Sequence, residues 1–188
     1  KGVREKGQYI LKKEAKMATR ARIGLELKDG SYISSYQHWD GYPGGLGYTL
    51  IDHWHNYDKV EEAISLGDAS SWRYMVGQKI DFDNRNDPLH DVQNCYYGRD
   101  RGEKDVGPKK HLNGVCLLDE AFRSGEEYLY VLRDVGKGDK EQYEWFYTTD
   151  TNPAKEIADM KPLEEDAIND HIDMLKRHLE IMKQRKAA

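Results

Sequence analysis

The stretch that decides the fold is Ala18-Thr-Arg-Ala-Arg-Ile-Gly-Leu-Glu-Leu27, followed by Lys28-Asp-Gly-Ser31 and Tyr32-Ile-Ser-Ser-Tyr-Gln37. Residues 18–27 alternate apolar and polar side chains, the period of a half-buried strand. Asp29-Gly30 is the strongest short hairpin signal, because glycine accepts the positive φ that a tight reversal requires. Tyr32–Gln37 is then the returning strand, and the two form an antiparallel hairpin. A second hairpin is expected near the other end of the chain. Its first arm is Glu127–Arg133, with Tyr128, Tyr130 and Leu132 on one side and Leu129 and Val131 on the other. Gly136-Lys-Gly-Asp139 turns the chain, and Gln142–Thr149 returns.

Helices fill the space between and after the hairpins. Residues 46–55 read as a short helix. Asp58–Leu66 reads as a second, with Asp58 as cap, Glu61 as its capping-box partner and Gly67 as the stop. Leu117–Arg123 reads as one or two helical turns. Pro153 and Pro162 interrupt a helical segment, and the last helix runs from about Leu163 to Lys186. That helix carries an apolar stripe, Ile168, Ile172, Leu175, Leu179 and Met182, spaced four-three-four-three. Such a stripe packs on the sheet; its second reading is a helix–helix dimer seam. The expected fold is a single α+β domain with an antiparallel sheet of about four or five strands. Short helices and the C-terminal helix cover it.

Composition narrows the function. The chain has 188 residues, which fits one domain. Its four Trp, thirteen Tyr and three Phe supply the large buried areas that disordered chains lack. No apolar run approaches the roughly 20 residues of a membrane span, and the charged first residues do not read as a signal peptide. Cys95 and Cys116 make neither a disulfide framework nor metal-finger spacing, so reduced thiols in a cytoplasm are expected. Residues 1–16 carry six Lys/Arg against two Glu; with −5 overall, the rest holds −9. An acidic body argues against nucleic acid as a partner.

The basic segment 1–16 reads as a tail or as a translated leader. Lys13-Glu14 can be encoded as AAGGAG, a ribosome-binding sequence, two codons ahead of Met17. Residues 17–188 then form the domain.

The first hairpin runs into His38-Trp39-Asp40-Gly41-Tyr42-Pro43, which concentrates rare residues at a strand exit. Three readings compete. In the first, His38 and Asp40 join Asp52, His53 and His55 around a metal. The spacing is poor for that, because His53 and His55 lie two apart and a helix turns them to different sides. In the second, the hexapeptide is a structural turn: Gly41 supplies an unusual backbone angle, Pro43 fixes the exit, Trp39 and Tyr42 anchor it and Asp40 caps neighbouring NH groups. In the third, it edges a ligand pocket, with the NH groups of Gly44-Gly45-Leu46-Gly47 turned toward an anion and aromatics beside them for stacking. Arg99-Asp100-Arg101-Gly102-Glu103 is the other constellation. It is either a solvated ion-pair cluster or a pair of arginines forking onto a phosphate or carboxylate, held by Asp100 and Glu103. The candidate ligand-binding residues are therefore His38, Trp39, Asp40, Tyr42, Arg99, Arg101 and Glu103, lining one concave surface. No cofactor can be named from the sequence. Asp81–Asp87 begins like a calcium loop but has Arg85 at its fifth position and no glycine at its sixth.

Met17–Gly24, the hexapeptide at 38–43, Leu66-Gly-Asp-Ala-Ser-Ser71 and Tyr97–Glu103, in this order, resemble a family of small proteins of tailed phages. The family includes T-even-like phages and cyanophages, with relatives in some bacteria. The likeness covers about residues 17–149 and brings no activity with it. It implies phage or prophage origin and action in the cytoplasm of an infected bacterium; the first class of function expected there is a non-enzymatic accessory protein, as in host takeover or counter-defence. Its partner would be a host protein or a small anionic, nucleotide-like ligand. A second class of function is a small hydrolase or nucleotide-processing enzyme, with His38 as base and Asp40 as its orienter, with or without a metal.

Because segment 1–16 has no apolar pattern to bury, a chain beginning at Met17 is expected to unfold at the same temperature as the full chain. A large drop in Tm would show that the segment belongs to the core.

Overall fold

Two hairpins are joined edge to edge by a parallel pair of strands. The computed structural model describes residues 18–84, 86–138, 140–149 and 156–187, so segment 1–16, Met17 and Pro153 lie outside the described residues. β1 (Ala21–Glu26) and β2 (Tyr32–Gln37) form the first hairpin, with Ile23 opposite Ser35 and Leu25 opposite Ile33. Gly30 takes φ +81° in its turn, and Asp29 accepts from the Ser31 NH. β6 (Tyr128–Asp134) and β7 (Tyr143–Thr148) form the second. β1 and β6 then run parallel, Ile23 beside Tyr130 and Gly24 beside Val131.

Four short strands extend this frame. β3 (Ala69–Ser71) pairs in parallel with the end of β2 at Gln37, and β4 (Cys95–Tyr96) lies antiparallel to β3. β5 (Lys109–His111) pairs with the beginning of β2, and β8 (Lys161–Pro162) edges β7. The sheet is thus eight-stranded and mixed, in the order β4-β3-β2-β1-β6-β7-β8 with β5 also on β2. This corrects the expected antiparallel sheet of four or five strands. The additional strands are two or three residues long, too short to show a period in sequence.

Both faces of the sheet are covered. On one, Ala21, Ile23, Leu25, Ile33, Tyr130, Leu132 and Trp145 pack against α1 (Tyr48–His53), α2 (Tyr57–Ser65) and the start of α4 (Glu164–Ala187). On the other, Tyr32, Leu129 and Val131 meet α3 (Gly114–Arg123) and the turn at Ile157–Met160. Asn56 caps α2, accepting from the Lys59 NH at 3.0 Å, which replaces the expected Asp58–Glu61 box. Asn113 caps α3 in the same way. α4 differs most from expectation. Leu163 and Ala167 are buried in the core, but the stripe Ile168, Ile172, Leu175, Leu179 and Met182 does not pack on the sheet and stands exposed.

The hexapeptide locks the first hairpin to the second. The Gly41 NH donates to Thr19 O at 2.9 Å, and the Tyr130 hydroxyl donates to Gly41 O at 2.8 Å. Positive φ falls on Asp40 (+60°), not on Gly41. Gly41 is needed for another reason: a Cβ there would stand 2.7 Å from Thr19 O and 2.9 Å from Ala21 Cβ. Gly41→Ala is expected to cost about 1–3 kcal/mol, as overpacking against backbone does. Urea unfolding would measure it, and a wild-type midpoint would show that the two hairpins can separate freely here.

Candidate functional site

β2 delivers His38 and Trp39 to the far end of the sheet, where their NH groups continue the pairing with β3, donating to Ala69 O and Ser70 O. The His38 Nδ1 lies 2.6 Å from the Tyr36 hydroxyl. A phenol donating to Nδ1 suits a neutral ring with its proton on Nε2. Burial first, and then the Arg20 guanidinium, hold the imidazole pKa below its ordinary value. Trp39 stands edge-on to His38, ring centroids 4.7 Å apart, and is partly exposed rather than anchored in the core. Among the described residues the Asp40 carboxylate caps no NH group. It faces the Arg73 guanidinium at 3.8 Å, while the Asp40 backbone carbonyl accepts from Leu46. Tyr42 is half-buried, and its carbonyl receives the Gly45 NH at 3.0 Å.

The glycine turn after the hexapeptide does receive an anion, and the anion is part of the chain. The Gly44 NH donates to Asp170 Oδ2 of α4 at 2.7 Å. His171 Nδ1 lies 2.9 Å from Gly44 O, and its ring stacks on Tyr48 at 3.9 Å with 6° between planes. Asp52 and His53 pair with each other at 3.2 Å, and His53 leans on Tyr74. Among the described residues no three His, Cys, Asp or Glu side chains gather as ligands of a metal would.

The second motif forms a π-helical turn, Tyr97–Arg101, directly after β4. Arg99 grips Asp100 with two nitrogens, at 2.8 and 2.9 Å. It also donates to Val76 O, Gly77 O and Asn94 O, and its guanidinium lies over the Tyr96 ring at 4.8 Å. The buried Asp100 carboxylate further accepts from the Ile80 and Tyr96 NH groups. Every arm of Arg99 is thus engaged within the chain, and the motif clamps the long segment 72–84 onto β4. Arg101 is different. It pairs with Glu103 at 3.1 Å, covers Phe82 and remains half-exposed.

The two motifs flank β3 and leave it in opposite directions, because β2 and β4 run antiparallel to each other. A relay joins them: Asp40 to Arg73, the Arg73 NH to Asn94 Oδ1 at 2.6 Å, and Asn94 O to Arg99.

A polar cluster absent from the sequence reading lies under α3. Arg22, 2% exposed, donates to Glu126 Oε1 at 2.6 Å and to Ser34 Oγ at 3.1 Å. Ser34 Oγ lies 2.8 Å from His111 Nε2, and Arg22 leaves the hydroxyl proton free to point there. Burial pushes the Glu126 and Asp68 carboxyls up, and burial with Arg22 pushes His111 down. The alternation of β1 does put Arg22 on the face opposite Ile23. Nothing in the sequence shows that α3 covers that face or that Glu126 arrives beside it.

No family model matches this chain, and no curated protein or solved structure matches it.

His38 and His111 give the fold a pH dependence of known sign. Both folded pKa values lie below 6.5, so the unfolded chain takes up the extra protons. Stability is full above about pH 6.5 and is lost as the pH falls through that value toward the lower folded pKa values. Asp68 and Glu126, with raised pKa values, act in the opposite sense: their contribution is lost as the pH rises past the ordinary carboxylate range. NMR titration should place both imidazoles below 6.5, and His38→Gln should show a shallower loss of stability as the pH falls below 6.5. An imidazole titrating above 6.5 would contradict the burial described here.

Proposed function

We propose that the chain is a binding protein rather than an enzyme, and that its partner is a protein of an infected bacterial cell. The observation that carries this reading is a group of exposed large side chains at the β3 end of the sheet. Trp39, Tyr74, Met75 and Val92 are each between 36% and 52% exposed. Arg73 lies among them, tied to Asp40 beside Trp39, and the Tyr74 NH donates to Val92 O. Trp, Tyr, Met and Arg are the side chains enriched where proteins meet, and rigid aromatics lose little entropy on docking. The Arg99 clamp supports the same reading, since it fixes the carbonyls of Val76 and Gly77 just beyond Tyr74 and Met75.

A hydrolytic role for His38 and Asp40 draws less support. An orienting carboxylate belongs on the imidazole Nδ1, and here that atom meets the Tyr36 hydroxyl while Asp40 faces Arg73. A small anionic, nucleotide-like ligand would need a free cation, and Arg99 is fully occupied. Of the two arginines of this motif, Arg101, which pairs with Glu103 at the surface and lies over Phe82, is the one such a ligand could reach. The acidic body continues to disfavour nucleic acid. Among the described residues no helix is long and apolar enough to cross a membrane. The phage resemblance supplies the setting of host takeover or counter-defence.

Crosslinking and mass spectrometry in infected cells would test this, comparing the wild type with Trp39→Ala/Tyr74→Ala. One host protein is expected to be enriched by the wild type and to fall about tenfold or more with the variant, the scale of interface hot spots. Tm is expected to fall by only a few degrees, because both rings are a third to a half exposed and rest on His38 and His53. An identical set of partners for the two proteins would refute the proposed surface.

A further inference from the structure

We infer that α4 is the interface of a homodimer in which two copies of the helix pair antiparallel. The helix has 24 residues, about 36 Å of length, yet the body holds only its beginning. Leu163 and Ala167 are fully buried, and Asp170 and His171 grip Gly44. From Leu175 through residue 186 every side chain is exposed. A free helical arm of that size is marginal in water, since isolated helices shorter than about 12–15 residues hardly hold themselves.

The arm is not polar all round. Ile168, Ile172, Leu175, Leu179 and Met182 form one continuous stripe, between 38% and 57% exposed. At its body end the stripe becomes one wall of a groove of about 490 Å³ between α4 and α1. Tyr48, Ile51 and Asp52 form the other wall, and Glu164 closes it.

Charge identifies the occupant. Residues 164–173 hold Glu164, Glu165, Asp166, Asp170 and Asp173, with no lysine or arginine. Residues 176–186 hold Lys176, Arg177, Lys183, Arg185 and Lys186 against Glu180 alone. The helix dipole accounts for such a bias within the first and last turns. It does not account for the switch at mid-helix, from Asp173 to Lys176. A second copy laid antiparallel, crossing near residues 173–175, places basic half on acidic half at both ends. The partner's Leu179 and the partner's Met182 then enter the groove, with the partner's Arg185 near Glu164. A parallel pair would set like charges together along the whole seam.

Sedimentation equilibrium on the full chain should show a dimer with a micromolar or tighter Kd. Salt should raise that Kd several-fold, and Leu175→Glu/Leu179→Glu should give a monomer. Both leucines are exposed in the single chain, so the variant should keep the Trp and Tyr near-UV signature of the folded body. Orientation is read by spin labels at Gln184→Cys with the exposed Cys116 changed to Ser. Antiparallel helices put the two labels about 30 Å apart, and parallel ones about 10 Å. A monomeric wild type, a dimer that survives the double substitution, or the short distance would each overturn the inference.

Discussion

The parallel pairing of β1 with β6 is the constraint on which the rest of the structure depends. Each hairpin alone has one edge that must be covered and one face that must be buried. Joining them along β1 and β6 turns β1 into an interior strand, flanked by β2 and β6 and covered on both faces. Ala21, Ile23 and Leu25 gain a core from this. Arg22 is carried inside by the same geometry, because the alternation that points Ile23 one way points Arg22 the other. A buried charge left without its partner costs about 3–5 kcal/mol. The pairing also brings the answer to that cost, since Glu126 precedes β6 and arrives 2.6 Å from the guanidinium. Ser34 and His111 extend the network from β2 and β5.

The two conspicuous motifs share one architectural task at the opposite edge. β3 and β4 are too short to hold themselves, and segment 72–84 has little regular structure. Trp72 anchors the start of that segment against Trp54, whose indole donates to Arg73 O. The hexapeptide holds it through Asp40 and Arg73, and Arg99 with Asp100 holds it from the β4 side. The residues concentrated there tie the segment to the sheet from both sides. Aromatics on a segment tied down in this way lose less entropy on docking than long flexible side chains would, and this connects the buried chemistry of the motifs to the proposed surface.

α4 joins the body through contacts with the glycine turn and α1. Its carboxylate at Asp170 answers the open NH of Gly44, and His171 stacks on Tyr48 while bonding the Gly44 carbonyl. A Cβ on Gly44 would stand 2.7 Å from Asp170 Oδ2, so the glycine is the residue that lets the helix approach. The attachment uses Leu163 and Ala167 in the core together with the polar groups of Asp170 and His171, all near the start of the helix. It therefore leaves the apolar stripe free.

Local patterns in the sequence determined both hairpins, the side of each β6 residue, the sites of α1 to α4 and the stripe. Each of these rests on neighbours within a few residues, where period and turn chemistry act. The parallel joint, the short strands β3, β4, β5 and β8, and the burial of Arg22 were decided only by tertiary structure, because each pairs segments far apart in the chain. The hexapeptide shows the boundary best. Its composition marked a special place, but only the approach of Thr19 and Tyr130 explains Gly41, and only Arg73 explains Asp40. The NH groups of the glycine turn were legible as a seat for an anion. That Asp170, 126 residues away, sits in it could not be read locally, since a helix dipole accepts any carboxylate and only the folded path of the chain selects one.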